Sequence, residues 1–276
     1  MSSSSITALR DSFGRLITHL RISITDKCNF RCIYCMPETG VPLKPHSAML
    51  HYEQIAAIVK EAATLGISKV KITGGEPLVR KNIEALIEQI AALPEITDLG
   101  MTTNASLLTA EKARTLKKAG LMRMNISLDT VDPERFRTIT RGAEISSVLN
   151  GIDNALAAGF SPVKVNMVVM NDTTEADMAA MKHYCHSKGL LLQTIAHFSL
   201  DRRDAHLSHT TDRPPPCHKC NRLRLTADGY LKPCLFTDKE IKVAMNDIRG
   251  SLLSAIAIKP ERGHSCNNRS MSQIGG

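Results

Sequence analysis

Over roughly the first two hundred residues, short stretches of alternating apolar and polar residues give way, repeatedly, to longer ones with apolar residues three and four apart. The alternating stretches predict strands at 20–25, 69–73, 98–103, 123–129, 163–170 and 190–198, because successive strand side chains point to opposite faces. The longer stretches predict helices at 52–65, 81–93, 109–119, 147–158 and 174–187, where a 3.6-residue period gathers the apolar positions on one stripe. Gly66, Gly120, Gly159 and Gly189 follow four of these helices, where a left-handed residue terminates the turn. Strand and helix in alternation predict a parallel sheet with right-handed crossovers.

Parallel strands covered on both faces read as nearly continuous apolar runs, and these do not. Arg21, Ser23, Thr25, Lys71, Thr73, Asn125, Ser127, Asp129, Lys164 and Asn166 share one face, while Ile22, Ile24, Ile72, Ile126, Val165 and Met167 share the other. A polar face common to consecutive strands suits the lumen of an open barrel that holds a polar ligand; a sheet with one solvated face is the alternative. The predicted fold class is α/β, a partial (β/α)6 TIM-type barrel over residues 1–200. Beyond Phe198 the periodicity stops. Residues 199–216, with Pro214-Pro215-Pro216, read as a linker, and residues 201–276 as a cysteine-bearing C-terminal extension.

Composition narrows the possible partners. No run of about 18 apolar residues exists, so no membrane span is expected. The serine-rich start lacks the apolar block of a secretory leader, and a cytoplasmic setting is expected. In that setting the eight cysteines are metal ligands or buried thiols rather than disulfides. A formal charge of +8 favours an anionic partner. With no Trp, few other aromatics and scattered basic residues, a small phosphate compound fits at least as well as nucleic acid.

Candidate chemistry lies in two cysteine triplets. Cys28, Cys32 and Cys35 fall within eight residues directly after the first strand, so their thiolates can converge on one centre. A cubane normally takes four such ligands; three leave one iron open to something else. Cys217, Cys220 and Cys234 form the second triplet. By spacing alone it also suits a zinc ribbon, with His218, His264 or Cys266 as a fourth ligand. A zinc-containing nucleic-acid-binding module would follow from that reading. Arg222 and Arg224 alternate with Leu223 and Leu225, so both guanidinium groups face one side, where forked recognition of phosphate is possible.

The loop Cys28-Asn29-Phe30-Arg31-Cys32-Ile33-Tyr34-Cys35, with Gly74-Gly75-Glu76-Pro77 after the second strand, resembles the signature of radical S-adenosylmethionine enzymes. Adding Thr102-Thr103-Asn104, residues 125–129, 132–142, 164–170, 217–236, 259–262 and the terminal Gly275-Gly276, the chain resembles the GTP 3′,8-cyclase family of molybdenum cofactor biosynthesis. The resemblance implies two [4Fe–4S] clusters, the first on Cys28, Cys32 and Cys35 and the second on Cys217, Cys220 and Cys234. It implies S-adenosylmethionine beside Tyr34, Gly74, Gly75, Glu76 and Ser127. It places GTP on Arg21, Lys71, Thr102, Lys164, Arg222 and Arg224, with the purine at the open iron of the second cluster. An external one-electron donor such as a flavodoxin is implied; nucleic acid and membrane are not. A divergent radical enzyme acting on another nucleotide or a peptide is the alternative. The chain departs from the family between the sixth strand and Cys217: the segment is short, Gln193 stands at a phosphate-binding arginine position, and Phe198 at a methionine position. A more open cavity with one phosphate ligand fewer is expected, and Cys266 is a further candidate for the open iron of the second cluster.

Overall fold

The computed structural model describes residues 9–42, 44–201, 211–213 and 216–275. Six parallel strands are laid side by side in chain order: β1 (His19–Ser23), β2 (Lys69–Thr73), β3 (Asp98–Thr103), β4 (Arg123–Ser127), β5 (Val163–Val169) and β6 (Leu191–Ala196). The crossovers carry α1 (Tyr52–Thr64), α2 (Ile83–Ala91), α3 (Ala110–Lys118), α4 (Pro133–Thr140), α5 (Ile145–Ala157) and α6 (Glu175–Ser187). The predicted elements are all present, and Gly66, Gly120, Gly159 and Gly189 all have positive φ. The additional helix α4 occupies part of a stretch to which periodicity assigned no element. Pro133 opens it, and Asp132 caps it by accepting from the Arg135 backbone N–H at 2.6 Å, a cap that contributes about 1 kcal/mol.

The helices cover the apolar side of the sheet. In α1 the buried positions Ile55, Ile58, Val59, Ala62 and Ala63 form one stripe, and Ile22, Ile72, Ile126 and Val165 of the strands, with Ile24 just past β1, are fully buried beneath the helices. Each such side chain contributes roughly 1.5–3 kcal/mol relative to exposure. The opposite, polar side chains line the interior.

The C-terminal residues continue this sheet. β7 (Arg222–Leu225) pairs in parallel with β1, placing Arg21 beside Arg224, and the antiparallel strands β8 (Tyr230–Lys232) and β9 (Ile241–Lys242) extend it further. The full order is β6-β5-β4-β3-β2-β1-β7-β8-β9. Helix α7 (Ile248–Ala257) packs against α1 and β8, and the short α8 (Met271–Ile274) leads to the C-terminus. Most of the predicted linker, including Pro214 and Pro215, lies outside the described residues. Its described part does more than connect. Arg213 bridges Ile195 in parallel, the Ala196 N–H donates to the Arg213 carbonyl at 2.8 Å, and the Asp212 N–H to the Thr194 carbonyl at 3.1 Å. Among the described residues no helix is long and apolar enough to cross a membrane.

Candidate active site

At the carboxyl ends of β1–β6 lies a cleft of about 990 Å³, open mouth included, lined by Cys28, Cys32, Cys35, Tyr34, Gly74, Gly75, Glu76 and Ser127 among others. All three cysteines and every residue expected to bind S-adenosylmethionine therefore meet in one place. The cysteine loop is held from several sides. The Ile33 N–H donates to the Ile139 carbonyl at the end of α4 (2.9 Å), and the Arg141 guanidinium donates to the carbonyls of Arg31 and Met36, both at 2.8 Å. Asn104 donates from its side chain to that of Asn29 at 2.9 Å. The Tyr34 hydroxyl donates to Asp129 at 2.8 Å, and the other oxygen of Asp129 accepts from the Val168 N–H at 2.8 Å. Asp129 thus takes a main-chain donor of β5 with its side chain, and β4 ends at Ser127 rather than at the predicted 129.

Gly74 and Gly75 have a steric requirement of their own. A Cβ on Gly74 would stand 2.7 Å from the Thr25 carbonyl oxygen, and one on Gly75 2.4 Å from that of Lys27. The backbone turn after β2 therefore presses directly on the base of the cysteine loop. Glu76 is buried, and its carboxylate accepts from the Leu78 N–H (2.9 Å), the Thr103 hydroxyl (2.7 Å) and the Asn104 N–H (2.6 Å). Burial nevertheless pushes it up to about 7, and Asp129 to about 6.

Do these residues fit a cluster? Burial, and then the negative charges of Glu76, Asp129 and the neighbouring thiols, push Cys28 up to about 11, Cys35 up to about 12 and Cys32 higher still. Three thiols that each disfavour bare thiolates, facing one cleft, match a cationic iron–sulfur group that would neutralise them. Among the described residues no group of three or more His, Cys, Asp or Glu side chains is arranged around a single ion; a cubane instead spreads its thiolates over separate irons.

Deeper in the lumen a second cavity of about 860 Å³ adjoins the first, sharing Thr102, Asn166, Ile195 and Phe198 with it. Arg21, Lys71, Thr102, Lys164, Arg222 and Arg224, the residues expected to hold GTP, all line it. So do His19, Arg123 and Arg213, which sequence reasoning did not assign, and among the described residues no carboxylate lines it. Burial, then the crowding of like charges, lowers Arg21 well below its ordinary value, Arg224 to about 10 and Lys71 to about 7. The same causes keep His19 neutral. Lys71 Nζ donates to the Asn125 side chain at 2.7 Å, and Arg123 forms an ion pair with Asp98. The Arg224 guanidinium donates to the Gly275 carbonyl at 2.6 Å. A Cβ on Gly275 would stand 2.4 Å from the Thr73 methyl, so Gly275 reaches the end of β2. Desolvated cations crowded on one wall form a site for a polyanion.

The second triplet sits where β7 begins and β8 ends. Cys217 and Cys220 share a tight turn, closed by the Cys220 N–H on the Cys217 carbonyl at 3.0 Å. Lys259 is buried, and its ammonium donates to the carbonyls of Arg222 (2.8 Å) and Pro233 (2.5 Å) and approaches Cys220 Sγ at 3.7 Å. Burial would raise the Cys220 thiol, but Lys259, Arg222 and Arg224 together bring it below its ordinary value. A Cβ on Gly263 would stand 2.6 Å from Cys234 Sγ. Thiols beside buried cations, with backbone drawn close, fit a second iron–sulfur group, whose thiolate-ligated assembly carries net negative charge. The thiol of Cys266 is engaged elsewhere, by Asn268 at 3.3 Å and by Lys232.

Arg213, Asp129 and Arg141 were missed for different reasons. Arg213 lies in a stretch of linker-like composition, whereas Asp129 and Arg141 act on the loop from elements far along the chain. For Asp129 the sequence signals were its place on the polar strand face and within the block 125–129 that carries the resemblance, neither of which points to Tyr34.

Comparison with known proteins agrees with this geometry. Residues 22–185 match the radical SAM superfamily. The chain is 40% identical to the GTP 3′,8-cyclase of Moorella thermoacetica and 36% identical to that of Pelotomaculum thermopropionicum, with 97% of this chain and the whole of each relative covered. The second alignment runs over 326 positions against 276 residues here, so at least 50 positions of that relative have no counterpart, in keeping with a shortened segment. Solved structures of similar fold include Streptococcus suis SuiB bound to S-adenosylmethionine, with a TM-score of 0.68 at 15% identity over 90% of this chain and 66% of that one. Another is anSMEcpe with bound AdoMet, with a TM-score of 0.66 at 15% identity over 88% and 81%. A superfamily match over more than half the chain, joined to full-length relatives at this identity, establishes that the chain belongs to the GTP 3′,8-cyclase family of radical SAM proteins.

Proposed function

We propose that this chain converts GTP to (8S)-3′,8-cyclo-7,8-dihydroguanosine 5′-triphosphate, the first step of molybdenum cofactor biosynthesis. Cys28, Cys32 and Cys35 would hold one [4Fe–4S] cluster, with S-adenosylmethionine against Tyr34, Gly74, Gly75, Glu76 and Ser127. Cys217, Cys220 and Cys234, in the extension formed by residues 201–276, would hold the other. When bound, these groups and an external one-electron donor supply a 5′-deoxyadenosyl radical and a metal anchor for the purine.

The observation that carries this reading is the adjacency of the two cavities. A cleft lined by three cysteines shares Thr102, Asn166, Ile195 and Phe198 with a cavity lined by seven Lys and Arg side chains. A nucleoside triphosphate whose phosphates are held by Arg21, Lys71, Lys164, Arg222 and Arg224 would direct its ribose at that junction. The chain's own residues then fix the reacting carbon by binding the remote phosphates and keep water from the radical by enclosing it. Thr102, on the shared wall, is placed to contact the nucleoside.

The test is anaerobic reconstitution with iron and sulfide, followed by turnover of GTP deuterated at ribose carbon 3′. Deuterium is expected in the 5′-deoxyadenosine, together with the cyclised product. Deoxyadenosine formed at the same rate without GTP, free of deuterium and with no cyclised product, would sink the proposal.

A further inference from the structure

Gln193 lines the substrate cavity on β6, where the resemblance implies a phosphate-binding arginine and, after β6, a longer segment than this chain has. The structure shows what occupies the space beside it. Residues 211–213 lie along the free edge of β6. In a parallel bridge the paired residues project to the same side. Arg213 is bridged to Ile195, which lines the lumen two positions after Gln193 on the same face. Asp212 projects to the other side, where its carboxylate accepts from the Thr194 N–H at 2.8 Å and the Thr194 hydroxyl at 3.0 Å. With the Asp212 N–H on the Thr194 carbonyl and the Ala196 N–H on the Arg213 carbonyl, four hydrogen bonds fix the backbone that carries Arg213.

We propose that Arg213 is a phosphate-binding residue of the substrate cavity, supplied by the short returning segment in place of the arginine that Gln193 lacks. This rests on the reading of the cavity as a triphosphate site. Arg213 lines that cavity with Arg21, Arg222 and Arg224, and its charge acts directly on Arg21 and Arg222. Among the described residues no carboxylate lines the cavity, so an anion that enters it meets Arg213 together with the other cations of the wall. The segment's own anion, Asp212, is tied up on the opposite face. The cation expected on β6 itself is thus carried by a strap bonded to its edge, and the wall expected to be missing is partly restored by that strap.

The experiment measures equilibrium binding of GTP, guanosine and inorganic tripolyphosphate to the anaerobically reconstituted full chain. Arg213→Ala should weaken GTP and tripolyphosphate by about ten- to a hundredfold, the loss of one charge-assisted contact. Guanosine binding and uncoupled S-adenosylmethionine cleavage should be unchanged. Arg213→Ala combined with Gln193→Arg should recover most of the loss, because the two positions address the same lumen. Asp212→Asn, which loosens the strap and keeps the arginine, should weaken both ligands less. Tripolyphosphate, having no base, separates this inference from the GTP reading. Arg213-dependent binding of tripolyphosphate in a chain that rejects GTP would uphold Arg213 and overturn GTP as substrate. Equal affinity of wild type and Arg213→Ala for both ligands would overturn the inference and leave the GTP reading intact, as would a recovered GTP affinity in neither the double variant nor Arg213→Lys.

Discussion

Lys71 joins burial to ligand charge at the level of a single side chain. It donates to Asn125 and lies among Arg21, Arg123 and Lys164, with its ammonium lowered to about 7. An unfolded lysine loses its proton only at about pH 10.4, so between those limits the unfolded chain binds more protons than the native one. This group therefore destabilises the native state most fully below pH 7, and stability rises with pH from 7 upwards. A bound polyphosphate reverses the preference by favouring the charged form. Tripolyphosphate or GTP binding near pH 8 should take up close to one proton from buffer, and affinity should fall by up to tenfold per unit as pH rises past 7. Calorimetry in buffers of differing ionisation enthalpy measures the uptake, and Lys71→Met should abolish both effects. No proton uptake in the wild type would show that Lys71 is already charged before the ligand arrives. The two cysteine triplets and the cationic strand face were legible in the sequence because they are local patterns. The partners that aim them were not: Asp129 reaches Tyr34 across 95 positions, and Arg141 reaches Arg31 across 110.

Among elements, the turn after β2 and the loop after β1 form one unit. The Gly75 N–H donates to the Thr25 carbonyl and the Glu76 N–H to that of Lys27, both at 2.8 Å. With the Gly75 Cβ position only 2.4 Å from a backbone oxygen, no side-chain movement can make room. Gly75→Ala should therefore displace the cysteine loop, cost about 1–3 kcal/mol as overpacking does, and lower the iron retained after reconstitution toward half. Thermal unfolding and iron analysis check this; an unchanged midpoint with full iron would mean that the loop has slack. The order of strands and helices was readable from periodicity, and glycine at the helix ends marked the boundaries. Less readable were α4, whose buried Phe136, Ile139 and Thr140 make too short a stripe, and the strap at Thr211–Arg213, whose structure is imposed by the edge of β6.

Viewed whole, the molecule does not divide where its composition changes. The sequence reading separates a barrel at 1–200 from an extension at 201–276, yet β1 lies between β2 and β7. Leu223, Leu225 and Leu231 of the extension are fully buried in the same core as Leu20 and Ile22. A chain ended after residue 200 should therefore expose a parallel edge and an apolar wall, aggregate, and lose cooperative unfolding. Size-exclusion chromatography and thermal melts followed by circular dichroism would measure this; a monomeric, cooperatively melting product would show that the barrel stands alone.

The position of β1 bears on how the protein is made. Arg15, paired with buried Asp11, donates to the carbonyls of Cys217 (3.0 Å), Pro260 (2.6 Å) and Glu261 (2.9 Å). The first of these partners is 202 positions away. Ribosomes add about 5–20 residues per second, so roughly 10–40 s separate the emergence of Arg15 and β1 from that of the partners that complete them. Throughout that interval the nascent chain presents an unpaired parallel edge, followed directly by a loop with three reduced thiols. The yield of native protein in the cell should accordingly follow the supply of chaperones that shield such edges more closely than it follows the stability of the finished fold.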